Sequence, residues 1–201
     1  AEAVVRYHHK DLGMVDPGKY INLLEETKLS HYLDLYVFEE VCRALHRWEI
    51  EDIPMIPVAV NFAGATLKQE SIAEKMMNII EKYHVRCEYL EVEVSESGND
   101  MNQEMLAETS SKIRKANVRV ILDHFGAKDS SFSILSLMEF DALKLDKSLI
   151  TNIVGNSRSR IVAQAVIDIC RQLGASVEAA GVETQDQLNV LGELGCDHVQ
   201  G

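Results

Sequence analysis

Short apolar runs rich in β-branched residues alternate with longer segments of helical period along the whole chain. The runs predict strands at Ala3–Arg6, Pro57–Phe62, Leu90–Ser95, Val118–Phe125, Ala142–Asp146, Ser176–Gly181 and His198–Gly201. Helices fall between them. Asp16-Pro17 is a helix start, with Asp as the cap and Pro at the first helical position. A long helix from Leu29 to Trp48 carries Leu33, Val37, Val41 and Leu45 at fourfold spacing. Ile72, Met76, Ile79, Ile80 and Tyr83 mark the next stripe. After Asn102, Glu104 and Glu108 come early and Lys112, Arg114 and Lys115 late, the order that suits a helix dipole. The last long helix runs from about Ser157 to Leu173 and stops at Gly174.

Regular β-α alternation implies a parallel sheet with crossover helices. Two architectures compete: an open doubly wound sheet and a closed (β/α)8 barrel. Strand parity separates them. Central strands of a doubly wound sheet meet helices on both faces and read as unbroken apolar runs. Here Glu91 and Glu93 share one face, opposite Val92 and Val94. Lys144 and Asp146 oppose Leu143 and Leu145. Asn61 shares a face with Ala59, and Asp123 with Ile121. Polar residues facing a lumen, with apolar residues facing helices, fit the barrel, whose active sites lie at the C-terminal strand ends. The chain also has no Gly-rich phosphate loop. A full barrel takes about 250 residues and eight strands. Seven are visible here, so a strand upstream is expected to be missing.

The 201 residues make one domain, residues 1–201, expected to be part of a larger signalling protein. At 46% hydrophobic and 26% charged, the chain has an ordinary globular composition. A net charge of −12 argues against nucleic-acid polymers and anionic membranes. It leaves open a small phosphorylated ligand held through a metal. Cys42, Cys87, Cys170 and Cys196 lie far apart without metal spacing, which reads as free thiols in a reducing cytoplasm. No apolar run is long enough to span a membrane.

Parity brings Glu2, Arg6, Asn61, Glu93, Asp123 and Lys144 towards one lumen. Singly, each is an ordinary hydrogen-bonded strand end. Together they make a site. Three carboxylates and an amide oxygen on one spot are costly unless a cation neutralises them. A hard ion such as Mg²⁺ or Mn²⁺ does so with oxygen ligands. His8-His9 and Cys196 are weaker candidates, since adjacent loop histidines seldom converge on one ion and Cys196 reads as a packed thiol.

These residues carry a resemblance. Glu2-Ala3-Val4-Val5-Arg6 resembles EALLR, and PGKYINLLE at 17–25 resembles PxxFIPLAE. VAVNF at 58–62, LEVEVSES at 90–97 and ALKLDKS at 142–148 resemble SVN, LELEITES and LKIDRS. AAGVET at 179–184 and LGCDHVQG at 194–201 resemble AEGVET and LGCDxxQG. In order and spacing the chain resembles the EAL domain family, which hydrolyses the bacterial second messenger cyclic di-GMP. The resemblance implies a TIM-like barrel without its first strand and C-terminal tail, and two divalent metals activating a water against one phosphodiester. It implies Glu2, Asn61, Glu93 and Asp123 as ligands of the first metal. Glu96 would steady the catalytic loop, Lys144 would stand near the attacking water, and Arg6 would contact phosphate. Glu183 and Gln200 would line the ligand pocket.

The chain also departs from the family pattern. DDFGTGYSS reads Asp123-His124-Phe125-Gly126-Ala127-Lys128-Asp129-Ser130-Ser131, and the glutamate of AEGVE is Ala180. Two carboxylates of the second metal are therefore replaced, by His124 and Ala180. Glu178 shares a strand face with Ala180 but lies two residues deeper. Two-metal cleavage needs both ions. The expectation is a degenerate domain that binds cyclic di-GMP or a protein partner without catalysis, with one weakly held divalent metal and no second. The alternative is an active phosphodiesterase producing linear pGpG. A flanking sensor or GGDEF-type domain is the expected partner, and dimerisation is left open.

Overall fold

The structure is a computed structural model and describes residues 1–95, 103–128 and 130–201. Its sheet has seven parallel strands in simple chain order: β1 (Glu2–Ala3), β4 (Val58–Phe62), β5 (Leu90–Ser95), β6 (Arg119–Phe125), β7 (Ala142–Leu145), β8 (Ser176–Ala180) and β9 (His198–Gln200). A separate antiparallel hairpin, β2 (Tyr7–His9) and β3 (Gly13–Val15), follows β1.

The helices are α1 (Pro17–Glu26), α2 (Ser30–Ile50), α3 (Gly64–Leu67), α4 (Ile72–Tyr83), α5 (Gln103–Lys115), α6 (Ile134–Leu137), α7 (Lys147–Ile150), α8 (Ser157–Leu173) and α9 (Gln185–Leu194). Asp16 caps α1 by accepting from the Gly18 amide at 2.8 Å, with Pro17 in the first turn. α8 ends at Gly174 in the left-handed conformation.

The barrel expected from strand parity is present, as a curled sheet open at one seam. Val92 and Val94 join the apolar core under the helices with Phe38, Leu45 and Leu143. Ala59, Ile121 and Ala142 form a small cluster of their own inside the curl. Glu91, Glu93 and Lys144 face that lumen. Among the described residues β1 and β9 do not pair by backbone. Their side chains meet instead, Gln200 Nε2 donating to Glu2 Oε2 at 2.8 Å.

Three expectations change. The first strand ends at Ala3, not Arg6, and the chain then leaves the sheet for the hairpin. Arg6 is therefore an exposed residue at the rim rather than a lumen residue, and its guanidinium donates to Val5 O at 3.0 Å. Asp146 lies beyond β7 and caps α7, accepting from the Ser148 amide at 2.9 Å. On α2 the buried residues are Ser30, Asp34, Phe38, Val41, Cys42 and Leu45, while Leu33 and Val37 are half-buried. Strict fourfold spacing outruns a 3.6-residue turn, so the buried face drifts off it. All four cysteines are free, and burial pushes the Cys42 thiol up to about 12. Among the described residues no helix is long and apolar enough to cross a membrane.

Candidate functional site

Backbone register builds the first part of the site. Asn61 and Glu93 are partners across β4–β5, and Lys144 and Glu178 across β7–β8. Period-2 parity turns all four side chains to the lumen. The Lys144 ammonium is 2.5 Å from Glu93 Oε1 and 3.3 Å from Glu2 Oε2. Asn61 Nδ2 donates to Glu2 Oε1 at 2.9 Å. Glu2, Asn61, Glu93, Lys144 and Gln200 thus form one connected cluster, closed across the seam by Gln200.

Its electrostatics follow from burial. Burial opposes the charge on Glu2, but hydrogen bonds from Gln200 and Asn61 and the charge of Lys144 outweigh it and hold its carboxyl below the ordinary range. Burial pushes the deeper Glu93 up to about 7, against the pull of Lys144. Burial disfavours the charged Lys144, yet its bond to Glu93 and the neighbouring carboxylates win and raise its pKa.

The second part of the site lies where β6 ends. Asp123 is 8% exposed at the top of the lumen. The β6–β7 register shifts between Leu122 and Phe125, and His124 adopts φ +57°, a left-handed conformation that His tolerates better than most residues. The turn throws the imidazole to the rim. Its Nε2 is 3.3 Å from Asp123 Oδ2 and its Nδ1 is 3.3 Å from Asp146 Oδ2. Ala180 ends β8 with no polar side-chain atom. Just past β6, Gly126 has φ +92°, and a Cβ there would run into the Leu149 side chain.

Glu96 and Asp129 lie outside the described residues. Glu183 is exposed on the turn before α9, and its carboxylate makes no hydrogen bond among the described residues. A cavity of about 440 Å³ opens at the rim, with Arg6, Asn61, Glu93, Asp123 and His124 at one end. It continues beneath α1, between Ile21, Leu24, Leu33 and Val37, to Ser30 and Asp34.

Sequence reasoning missed Asp34. Its Oδ2 accepts from the Ala63 amide at 2.8 Å and from Thr66 Oγ1 at 2.5 Å, which anchors the turn just beyond Asn61. Burial pushes its carboxyl up to about 6, against those two bonds. The signal was an acid in helical phase with Phe38, Val41 and Leu45.

The donor set has the chemistry that suits a hard divalent ion, three carboxylates and an amide oxygen, and one oxygen of the three carboxylates, Glu93 Oε2, is buried without a hydrogen-bond partner among the described residues. As arranged, Lys144 sits where such an ion would draw on Glu2 and Glu93. Among the described residues no group of three or more His, Cys, Asp and Glu side chains stands ready to hold a metal. The residues that would hold an ion, with Lys144 moved aside, are Glu2, Asn61, Glu93 and Asp123. At the rim, Asp123 and Asp146 face opposite nitrogens of one ring, so no single ion can take that imidazole and both carboxylates.

A family model described as the EAL domain matches residues 1–201. The chain belongs to the EAL domain family. It is 32% identical over 200 residues to a cyclic di-GMP phosphodiesterase, NbdA, of Pseudomonas aeruginosa, all of this chain against 26% of that protein. It is 31% identical over 201 residues to the signalling protein YkoW of Bacillus subtilis, all of this chain against 25% of that one. The chain thus spans about a quarter of the length of these relatives. Among solved structures, the MucR phosphodiesterase of Pseudomonas aeruginosa in complex with c-di-GMP superimposes with a TM-score of 0.89 at 26% identity, covering 100% of this chain and 81% of that one. The FimX EAL domain of Xanthomonas citri, in complex with c-diGMP, gives 0.90 at 20% identity, covering 100% and 78%, which speaks for the fold.

Proposed function

We propose that this EAL domain binds cyclic di-GMP and does not cleave it at a useful rate. The observation that carries the reading is His124. Its ring occupies the space between Asp123 and Asp146 and gives each a separate nitrogen. A second ion would find no carboxylate at position 124 and none at Ala180. In-line displacement then lacks one half of its two-ion clamp.

Binding has what it needs. Arg6 stands at the rim for a phosphate, Lys144 supplies positive charge below it, and Gln200 closes the seam. The apolar slot beneath α1 suits a flat base, with Asp34 as an acceptor for its N–H groups. Glu183 would line the outer edge and Glu96 would steady the loop. Glu2, Asn61, Glu93 and Asp123 hold at most one Mg²⁺ or Mn²⁺, weakly. When bound, that ion supplies charge to the phosphates.

The relatives' greater length supports a place within a larger signalling protein, where flanking sensor or GGDEF-type domains would read the bound state; a cytoplasmic location belongs to the same proposal. The second reading, an active phosphodiesterase, draws on relatives named as such. Isothermal titration with cyclic di-GMP in Mg²⁺, in Mn²⁺ and in EDTA tests the binding. Saturable binding that survives EDTA supports the proposal. No binding in any buffer contradicts it.

A further inference from the structure

Lys144 has three N–H donors and three carboxylates around it. Glu93 Oε1 at 2.5 Å and Glu2 Oε2 at 3.3 Å take hydrogen bonds; Glu178 Oε1 stands off at 3.9 Å. The ammonium side chain is only 5% exposed. The Glu178 carboxylate makes no hydrogen bond among the described residues, although β7–β8 register sets it directly beside Lys144. The other lumen acid, Glu91, is already paired with Arg119. Ala180, one step nearer the rim on the same face, has no oxygen to offer.

Lys144 holds Glu93 Oε1 and Glu2 Oε2, while Glu93 Oε2 has no hydrogen-bond partner among the described residues. Two cations this close in a buried site repel strongly. A divalent ion drawing on both carboxylates is therefore opposed by the ammonium where it stands. Among the described residues Glu178 is a carboxylate beside Lys144 that holds no hydrogen bond, and a shift of about 1 Å turns its 3.9 Å contact into one.

We propose that Lys144 is the resident cation of this mouth, that a divalent ion binds by displacing its ammonium from Glu93 and Glu2, and that Glu178 is the positioning residue that receives it. The inference rests on the ion placement given above. It explains why a complete donor set holds an ion weakly: the site is already neutralised from within.

The test is Mn²⁺ titration calorimetry, without nucleotide, on wild type, Glu178→Gln, Lys144→Met and the double variant. Lys144→Met should tighten Mn²⁺ binding by about tenfold or more. Glu178→Gln should weaken it about fivefold in wild type but less than about twofold in the Lys144→Met background, the non-additivity of groups that act together. Unchanged or weaker binding in Lys144→Met overturns the proposal. So does an equal effect of Glu178→Gln in both backgrounds, which would make Glu178 a plain charge. Asn61→Ala in the Lys144→Met background reads the ion's placement separately: unchanged affinity there refutes the placement itself. Lys144→Met leaves Glu93 buried without its partner, so a measurement on the intact protein stands beside it. In wild-type crystals soaked in Mn²⁺, Lys144 Nζ should bond Glu178 and stand clear of Glu93. An ammonium still on Glu93 beside a bound ion overturns the proposal.

Discussion

The two halves of the barrel mouth are built differently. On one half, strand register does the work. Asn61 and Glu93 are locked side by side, Glu93 is 2% exposed, and Glu2 is held by Asn61, Lys144 and Gln200. On the other half a shifted register and a left-handed residue take over, and the His124 side chain is 56% exposed. The first half is stabilised by the fold itself, because its side chains are placed by hydrogen-bonded strands. The second depends on the side chains at two positions and the turn between strands. Substitutions at His124 and Ala180 therefore change the second half while leaving the barrel intact.

The largest expected effect comes from making the halves alike. His124→Asp with Ala180→Glu should raise cyclic di-GMP hydrolysis more than about tenfold above either single change, because one carboxylate leaves the second ion under-coordinated. Product formation by chromatography reads this. Additive single effects would separate the two positions and break the comparison.

Next comes the support beneath the rigid half. Asp34 has an ordinary value of 3.8 raised to about 6 by burial. The folded state then binds more protons than the unfolded state between those values. The stability this contributes is full below about 3.8 and is lost as pH rises through 6, on the order of 3 kcal/mol in total. Wild type should therefore lose stability relative to Asp34→Asn between pH 4 and pH 7, measured by urea unfolding. A flat difference, or one of opposite sign, would remove Asp34 from the account.

How much of this was legible beforehand follows from what fixes each residue. Parity alone placed Glu93, Lys144 and Asn61 on one face, since a strand's period is rigid. It could not place Arg6, because the length of β1 depends on where the chain leaves the sheet for a hairpin. Nor could it show that His124 reaches Asp146. That contact needs the register shift after Leu122, which joins residues 22 apart. Asp34 was hidden by reading α2 at fourfold spacing instead of 3.6. The exchanged carboxylates at His124 and Ala180 were legible only through the family resemblance.

Two smaller effects sharpen the contrast. Gly126→Ala forces a Cβ into Leu149 at a positive φ and should cost about 1–3 kcal/mol of stability in thermal unfolding. His124→Asn should change stability by less than about 1 kcal/mol, since Asn also accepts the left-handed conformation and the ring is largely exposed. A loss of several kcal/mol there would show that the rim is as rigidly built as the lumen.

The most direct test of the central claim is incubation of the wild-type chain with cyclic di-GMP in saturating Mg²⁺ and, separately, Mn²⁺, followed by chromatography. The cyclic dinucleotide should be recovered uncut under conditions where titration shows it bound. Sustained turnover to the linear dinucleotide would contradict it.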